Sequence, residues 1–400
     1  MTQVAFVSCS KLKGEHKAPA AALYTSALFR KSLLAAYEKS KKVYIISAKH
    51  GVLNLGDIIE PYDRTLKAMS RADRTVWAET TSVQLAKLLR SGDVINFYCG
   101  EEYIAPLRRK MTQIGARLVE PLSGLSLGKR LQHLRNLNNE QSLKAEVKRF
   151  YEIMQQLWVA QRSGRRIADL TGRQPWPERG VYFVTGAVSA AHTRSIPRII
   201  RVGTHAVSVG SRTSLWNRIS THRGTLDGGG SHRSSIFRSH VGRAIMNTEP
   251  HQNWPKNWAT GQSAPKSVLE TEVDLEQKVS RAIGEMRLLW LQVSDIPGPS
   301  SDRAYLERNA IGLLSRSVLL SPSTAGEWLG AFSDDWRIAA SGLWNLNHLF
   351  LRPDPAFLDV LERYVNVTLG HEPEPSNPIA PDSWHSLKLS ESDQLNLFEK

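Results

Sequence analysis

Short apolar runs alternate with segments of helical spacing through the first 130 residues, and this alternation limits the fold more than any other feature. An alternating order of strands and helices predicts an α/β domain with a mainly parallel sheet. In such sheets, ligands bind beyond the carboxyl ends of the strands. The predicted strands are 4–8, 43–48 and 94–98, and the predicted helices are 20–38 and 72–89.

The rest of the chain divides into four further regions. Residues 131–174 have the spacing of a helical linker, and breaks in the pattern place a domain boundary near 165–178. Short strands and helices from 175 to 350 predict an α+β domain, with a loop at 224–264 and helices at 272–285 and 303–316. A closing helix is expected at 351–370 and a flexible, polar tail at 371–400.

The charge of the chain predicts a polyanionic partner. Lys and Arg number 52 against 38 Asp and Glu, for a formal net charge of +14, and the last 70 residues are acidic. A basic body gains affinity for nucleic acid by releasing counterions, although charge alone leaves RNA and membrane-surface partners open. The sequence lacks a long apolar run, a signal-peptide layout and a cysteine framework, so we expect a soluble cytoplasmic protein without a membrane partner.

Four motifs of the second half come in an informative order. Tyr182 lies in a first predicted strand, and Arg201-Val202-Gly203 closes a second. Arg218 and His222 follow four residues apart on one helix, and Glu307 lies on a later helix. Phosphodiester cleavage needs an activated water and positive charge beside the phosphate, and one carboxylate is enough to hold Mg²⁺.

This order resembles the GIY-YIG nuclease superfamily over about residues 175–350. The resemblance implies a small mixed sheet flanked by helices, and hydrolysis of DNA with one divalent metal, Mg²⁺ or Mn²⁺. It implies that Tyr182 activates or positions water, that Arg218 stabilises phosphate charge and that Glu307 binds the metal. His222 matches a histidine of restriction-type members. Arg201 stands where most members have tyrosine, which leaves Tyr182, His205 and His222 open as the general base.

Arginine outnumbers acidic residues between 211 and 245, and this excess predicts contacts to the DNA backbone. The alternative is an exposed loop and helix start without function. Near the end of the domain, Asn345 either places an amide beside the active site or caps a turn next to a buried Trp344. The residues predicted to contact DNA are Arg212, Arg223, His232, Arg233, Arg238 and His240.

Polar motifs follow the first two predicted strands of the amino-terminal half. If these strands are neighbours, the motifs meet at the carboxyl edge of the sheet and form a site for a ligand or DNA. The alternative is that these residues only end the strands and bind nothing. The predicted site consists of Cys9, Ser10, Lys11, Lys49, His50, Tyr62 and Asp63, and a pocket for a flipped base would add stacking from Tyr24, Tyr62, Tyr98 or Tyr103.

The Ser-Cys-Ser-Lys stretch at 8–11 and the Ser-Ala-Lys-His-Gly stretch at 47–51 resemble an uncharacterised bacterial and phage domain family over about residues 1–125. The resemblance suggests a link to proteins that act on nucleobases, including glycosylases. At the other end, Gln394, Leu395, Leu397 and Phe398 resemble the peptide with which bacterial proteins dock on the sliding clamp. The alternative is a terminal helical turn that packs on its own domain.

These observations predict a two-domain DNA endonuclease of bacterial or phage restriction or defence. Its first domain would recognise or process a base, and its second would cut the backbone. Three alternatives remain open on the sequence: a repair nuclease, a catalytically weak DNA-binding module, and an enzyme that modifies RNA bases.

Overall fold

The computed structural model describes residues 2–186, 195–320 and 328–384 of the chain. Two compact units are present. The first consists of Met1–Lys144 with Arg316–Gly342, and the second consists of Ala145–Ser315 with Leu343–Lys400. Within the described residues, we find no helix that is both long and apolar enough to cross a membrane.

The first unit is built on a five-stranded sheet of order β4-β3-β1-β6-β7, beside a two-stranded ladder of β2 and β5. Its strands are β1 (Gln3–Ser8), β2 (Ala18–Pro19), β3 (Lys42–Ser47), β4 (Gly51–Leu53), β5 (Ile58–Ile59), β6 (Val94–Tyr98) and β7 (Arg117–Val119). Its helices in this part of the chain are α1 (Ala20–Leu23), α2 (Ala27–Lys39), α3 (Arg71–Leu88), α4 (Glu101–Gln113) and α5 (Leu127–Leu137).

The prediction of a mainly parallel sheet is confirmed in the first unit. β1 pairs in parallel with β3 and β6, β6 pairs in parallel with β7, and only the short β4 is antiparallel. Residues 4–7 of β1 are all buried, as expected for a central strand covered on both faces. The helix predicted at 20–38 is two helices, because Tyr24 is extended and Ser26 caps α2 by accepting from the Phe29 N–H at 3.2 Å.

The second unit is built on a four-stranded sheet of order β10-β9-β11-β8. The strands are β8 (Arg165–Arg166), β9 (Gly180–Thr185), β10 (Ile199–Gly203) and β11 (Arg287–Gln292). The remaining helices are α6 (Glu140–Ala160), α7 (Leu215–Arg223), α8 (Ile236–Thr248), α9 (Lys266–Gly284), α10 (Asp302–Leu320), α11 (Trp336–Ser341) and α12 (Phe357–Thr368), of which α11 belongs to the first unit.

The small sheet expected with flanking helices is present, but the prediction that it is mixed is wrong for the described strands. β9 pairs antiparallel with both β10 and β11, and β11 pairs antiparallel with β8. All six residues of β9 are buried, so this central strand forms the core of the unit. The pairing directions depend on strands far apart in the chain, since β8 ends at Arg166 and its partner β11 begins only at Arg287, and the local pattern does not encode such pairings.

Helix α6, from the segment predicted as a linker, packs mostly as part of the second unit. Phe150 stacks on Phe357 with ring centres 6.3 Å apart, and Arg149 forms ion pairs with Asp359 at 2.6 Å and Glu362 at 2.8 Å. The division between the units falls at 144/145 rather than near 165–178, because the apolar stripe of α6 is buried within the second unit.

Two predicted irregular segments are ordered. The stretch 224–264 contains α8, whose apolar face is buried and whose first turn is capped by Ser235 through the Arg238 N–H at 3.2 Å. The start of the predicted tail is anchored by Asp302, which accepts from the backbone N–H groups of Ile379 and Ala380. The clamp-like peptide at 394–398 lies outside the described residues.

Candidate active site

Tyr182 occupies the centre of β9, directly opposite Gly203 of β10. A methyl group on residue 203 would lie 2.2 Å from the Tyr182 hydroxyl oxygen, far inside van der Waals contact. Only glycine therefore leaves room for the phenol across the neighbouring strand. The tyrosine and glycine of the two motifs thus form one packing arrangement.

The Tyr182 hydroxyl is hydrogen-bonded to His222 of α7, with 2.9 Å between the oxygen and Nε2. The other ring nitrogen of His222, Nδ1, lies 2.7 Å from Oγ of Ser235, the residue that caps α8. Tyr182 and His222 are 0% and 2% exposed, so this chain of hydrogen bonds is shielded from water.

Arg201 fixes the direction of this chain. Its Nε donates to the Tyr182 oxygen at 3.4 Å, its Nη1 donates to the Trp344 carbonyl at 2.5 Å, and its guanidinium lies 4.8 Å from the centre of the Phe237 ring. Arg201 can only donate, so within this group the proton of the Tyr182 hydroxyl has Nε2 of His222 as its one acceptor. Donation in that direction requires the tautomer of His222 that carries its proton on Nδ1, toward Ser235.

The electrostatic field at His222 favours that neutral form. Burial holds the pKa of His222 well below its usual value, and the positive charges of Arg201, Arg218 and Arg238 lower it further. Arg218 lies one turn before His222 on α7 and is half-buried, so it contributes its charge from the same helix face. The structure therefore brings Tyr182, Arg201 and His222 into contact, and Arg218 lies one turn away on the helix that carries His222.

His205, the other histidine considered as a base, is held by the backbone. Its Nδ1 lies 2.8 Å from the Thr213 carbonyl, and its Nε2 accepts from the Gly180 N–H at 3.3 Å. Burial is the main reason that its pKa falls to about 4. Since both ring nitrogens are occupied, His205 connects the start of β9 to the loop before α7 and does not fit a general base.

Glu307 lies on α10 and is half-buried. One turn earlier, Arg303 donates to the carbonyl oxygens of His205 and Ala206, the latter at 3.3 Å. Residues four apart lie on nearly the same helix face, so by its spacing Glu307 is expected on the side of α10 from which Arg303 reaches the segment following β10. The described residues contain no group of three or more His, Cys, Asp or Glu side chains able to hold a metal. A single carboxylate such as that of Glu307 suits a hard divalent ion whose other ligands are waters and phosphate oxygens.

Asn345 completes the edge of the small sheet. Its side-chain oxygen accepts from the Val202 N–H at 3.1 Å, and its amide nitrogen donates to the Val202 carbonyl at 2.8 Å. Trp344 is 2% exposed, and its backbone N–H donates to the Ile200 carbonyl at 2.7 Å. The pair therefore covers β10, an edge strand, and supports the backbone on which Arg201 lies.

The prediction of DNA contact is corrected for four residues, because their side chains point into the second unit. His232 donates its backbone N–H to Glu276 at 2.6 Å and stacks on Trp258, with ring centres 3.9 Å apart. Arg233 makes two bonds to Glu272, at 2.5 and 2.7 Å. Buried charges of this kind are compensated internally and are unavailable to phosphate. The four residues are His232, Arg233, Arg238 and His240.

Arg238 is fully buried and supports the candidate site from behind. Its guanidinium pairs with Glu276 and donates to the carbonyl oxygens of His222 and Arg223, each at 3.1 Å. These carbonyls belong to the last turn of α7, where helix acceptors lack partners. Of the predicted DNA contacts, Arg212 is exposed, and Arg223 is half-buried with Nε donating to the Ala168 carbonyl at 3.3 Å.

Sequence reasoning missed Ser235, Glu272 and Glu276. The available signal was the i, i+4 spacing of the two glutamates on α9, whose apolar stripe implies that neighbouring positions on the same face are buried. A carboxylate on such a face needs a cationic partner. That requirement pointed to the arginines and histidines that had been assigned to DNA.

The first unit has a second polar cluster where β1, β3 and β6 end. Cys9 Sγ lies 3.3 Å from the Tyr103 hydroxyl, and the Tyr62 hydroxyl lies 2.8 Å from those of Tyr24 and Ser47. Burial raises the pKa of all three tyrosines, and nearness to Cys9 raises each one further.

Not every predicted member of this cluster has a polar contact within it. Lys49 and His50 follow β3, and their N–H groups both donate to Ser47 Oγ at 3.1 Å. Ser10 donates locally to the Leu12 carbonyl at 2.8 Å, and Lys11 and Asp63 are exposed. Tyr98 bonds to the Ala35 carbonyl at 3.3 Å. Lys13, which sequence reasoning missed, lies over the Tyr62 ring.

The second unit has the features of a phosphodiesterase site: a hydroxyl whose proton has an acceptor, two arginines and a carboxylate suited to a divalent ion. Comparison with protein families agrees, since residues 141–370 match the GIY-YIG domain. This match covers more than half of the chain, and the chain belongs to the GIY-YIG family of nucleic-acid-hydrolysing endonucleases, which generally use a divalent metal.

The first unit matches a different family. Residues 4–136 match a family of unknown function, DUF6884. No curated protein and no solved structure matches the chain. The chemistry of the first unit therefore has to be inferred from its own residues.

Proposed function

We propose that the protein is a DNA endonuclease in which Tyr182 and His222 handle the proton of the attacking water, with Mg²⁺ or Mn²⁺ as the metal. The observation that carries the proposal is the 2.9 Å hydrogen bond between the Tyr182 hydroxyl and His222 Nε2, in which the donor Arg201 on the other side of the oxygen favours donation by the tyrosine. As the water attacks phosphorus, its proton passes to the tyrosine oxygen, and the tyrosine proton passes to His222.

Arg201 takes the place of the second tyrosine expected in this family. Its guanidinium stabilises negative charge on the Tyr182 oxygen while that oxygen exchanges protons. Tyr182 is shielded from solvent, whereas Arg201 is half-exposed.

Arg218 supplies charge to the reacting phosphate. A guanidinium keeps its charge at every physiological pH and presents donors in a planar fork that matches phosphate oxygens. Its charge lowers the pKa of both His205 and His222, which supports a position of Arg218 near the tyrosine–histidine pair. We expect Arg218→Ala to abolish cleavage with DNA affinity largely retained.

Glu307 would hold the divalent metal. When bound, such an ion polarises the phosphoryl oxygens and stabilises the leaving oxygen. The rest of its coordination would come from waters and the substrate, as is usual for Mg²⁺. The fit rests on the position of Glu307 one turn beyond Arg303, on the side of α10 that faces the segment following β10.

Plasmid cleavage tests the proposal. Supercoiled DNA is incubated with Mg²⁺ or Mn²⁺ and, separately, with EDTA, for the wild type, Glu307→Ala and Glu270→Ala. Glu270 is an exposed glutamate of α9 in the same unit and serves as the matched control. We expect metal-dependent cutting by the wild type and Glu270→Ala, and none by Glu307→Ala. Tight DNA binding without any cutting by the wild type would favour a DNA-binding module that lost activity at Arg201.

For the first unit, we propose recognition or processing of a base within DNA, in the setting of restriction or defence, with DNA repair as the alternative. Support comes from the separate polar cluster at the carboxyl edge of a parallel sheet. Cleavage of DNAs with and without natural base modifications is the test, and equal rates on both would contradict it. Preference for structured RNA over duplex DNA would favour an enzyme that modifies RNA bases.

The segment 394–398 is proposed to bind the bacterial sliding clamp through its Leu and Phe side chains. Its deletion should remove clamp binding and spare cleavage of free DNA. Clamp affinity that is unchanged by the deletion would contradict this proposal.

A further inference from the structure

Three neighbouring strands of the first unit deliver polar side chains to one edge of its sheet. Cys9 follows β1, Ser47 ends β3, and Tyr103 lies on α4, which follows β6. These strands are adjacent and parallel, in the order β3-β1-β6. The carboxyl edge of such a sheet is where ligands of α/β domains bind.

Two lysines converge on one tyrosine at this edge. Lys13 Nζ lies 4.2 Å from the centre of the Tyr62 ring, and Lys49 Nζ lies 5.4 Å from it. The two ammonium groups are therefore within about one Debye length, 8–10 Å, and repel each other. Among residues 2–186, 195–320 and 328–384, neither lysine forms an ion pair with a carboxylate; Lys13 Nζ donates to the Lys11 carbonyl at 3.4 Å, and Asp63 acts on Lys13 from farther away.

The ring that carries the two lysines is rigidly held. Its hydroxyl bonds to both Tyr24 and Ser47 at 2.8 Å, and its edge meets the His50 ring at 5.4 Å between centres. His50 Nε2 is shielded from solvent and has no hydrogen-bond partner within the part of the chain that the structure describes. The cluster thus combines two cations that lack an ion-pair partner among the described residues with an imidazole nitrogen that has no hydrogen bond there, both beside the Tyr62 ring.

We propose that Lys13 and Lys49 bind a phosphate group over the Tyr62 platform, donated either by a nucleotide or by the DNA backbone. Two ammonium groups suit a phosphate because lysine binds it as a point charge that needs no planar match. This inference deepens the proposal that the first unit recognises part of a nucleic acid. It does not depend on cleavage by the second unit.

Calorimetric titration of the full chain in EDTA tests the proposal without any cleavage. The probes are deoxyguanosine 5′-monophosphate, deoxyguanosine and a short duplex without terminal phosphates. K13M/K49M is compared with K39M/K42M, which removes the same charge from two exposed lysines, the last residue of α2 and the first residue of β3. K13R/K49R keeps both positive charges. K49M alone changes an exposed side chain, so we expect this variant to fold as the wild type does.

The expected result is at least tenfold weaker phosphate binding by K13M/K49M, with K39M/K42M and K13R/K49R close to the wild type. Loss confined to the monophosphate identifies a free nucleotide as the source. Loss on the duplex, with the salt dependence reduced by about two phosphate contacts, identifies the DNA backbone. The proposal is overturned if the wild type binds no phosphate-bearing probe, or if K13M/K49M and K49M bind as tightly as K39M/K42M.

Discussion

The hydroxyl of Tyr182 and Nε2 of His222 lie 2.9 Å apart, although the two residues are separated by 40 positions and belong to a strand and a helix. Gly203 makes room for the phenol, Arg201 orients its proton, and Ser235 fixes the far side of the imidazole. Each of these three residues acts on the pair in a different way, so a single substitution can alter each effect separately.

Gly203→Ala should displace Tyr182 and stop cleavage. Its Cβ would lie 2.2 Å from the tyrosine oxygen, and overpacking of a buried site costs about 1–3 kcal/mol of stability. Gly186→Ala, just after the end of β9, is the matched control because an added Cβ there has no neighbour within 4 Å among the described residues. Melting curves and plasmid cleavage are the measurements, and an active Gly203→Ala enzyme would argue against the packing described.

Ser235→Ala should affect both stability and the pH profile of cleavage. It removes the helix cap of α8 and the partner of His222 Nδ1, which should lower the free energy of unfolding by about 1–2 kcal/mol. Ser235→Thr keeps a hydroxyl for both hydrogen bonds, so its stability and its pH profile should match those of the wild type. Ser26→Ala removes only a cap, that of α2, and should lower stability without changing the pH profile. A pH profile that is identical in Ser235→Ala and the wild type would show that Ser235 has no part in positioning His222.

The second unit should lose stability as the pH falls below the usual titration range of histidine. The pKa of His222 is depressed by burial and by neighbouring arginines, and that of His205 falls to about 4. Below pH 6.5 these two histidines are protonated in the unfolded chain but stay neutral in the folded unit. The free energy of unfolding therefore decreases by up to about 1.4 kcal/mol per pH unit for each histidine.

Proton NMR of the imidazole groups measures this directly. Both histidines should remain neutral at pH 5.5, and denaturant unfolding should require less urea at pH 5 than at pH 7. A His222 signal that titrates near pH 6.5 would contradict the neutral tautomer on which the hydrogen-bond chain depends.

Arg212 and Arg233 should respond differently to truncation. Arg212 is exposed, so Arg212→Ala should weaken DNA binding and reduce its salt dependence by about one contact. Arg233 is paired with Glu272, so Arg233→Ala should lower the melting temperature and leave DNA affinity unchanged. The measurement is titration with DNA at several salt concentrations. Equal losses of DNA affinity in both variants would show that Arg233 contacts DNA after all.

The sequence was most informative where local pattern determines position. Tyr182 and Gly203 fall on strands that read as short, largely apolar runs, and Arg218 and His222 share a helix face through their spacing. Arg233 and Arg238 could not be placed in this way. Their carboxylate partners on α9 lie 38 or more residues away, and only the tertiary fold brings these charges together.

The same limit explains the antiparallel sheet and the position of α6. Strand direction within the sheet depends on β11, which follows β10 after more than eighty residues, and no local signal reports that pairing. The polar surface of α6 resembled a linker, but the ring of Phe150 packs against Phe357, two hundred residues away.

The most direct test of the account is the single-turnover rate of DNA cleavage by Tyr182→Phe, a change that removes one oxygen and keeps the ring. We predict a rate lower by about 10²–10⁴, the range typical of lost acid–base catalysis, with DNA affinity and melting temperature close to those of the wild type. A Tyr182→Phe enzyme that cleaves DNA at the wild-type rate would contradict the central claim that this hydroxyl and His222 carry the proton of the attacking water.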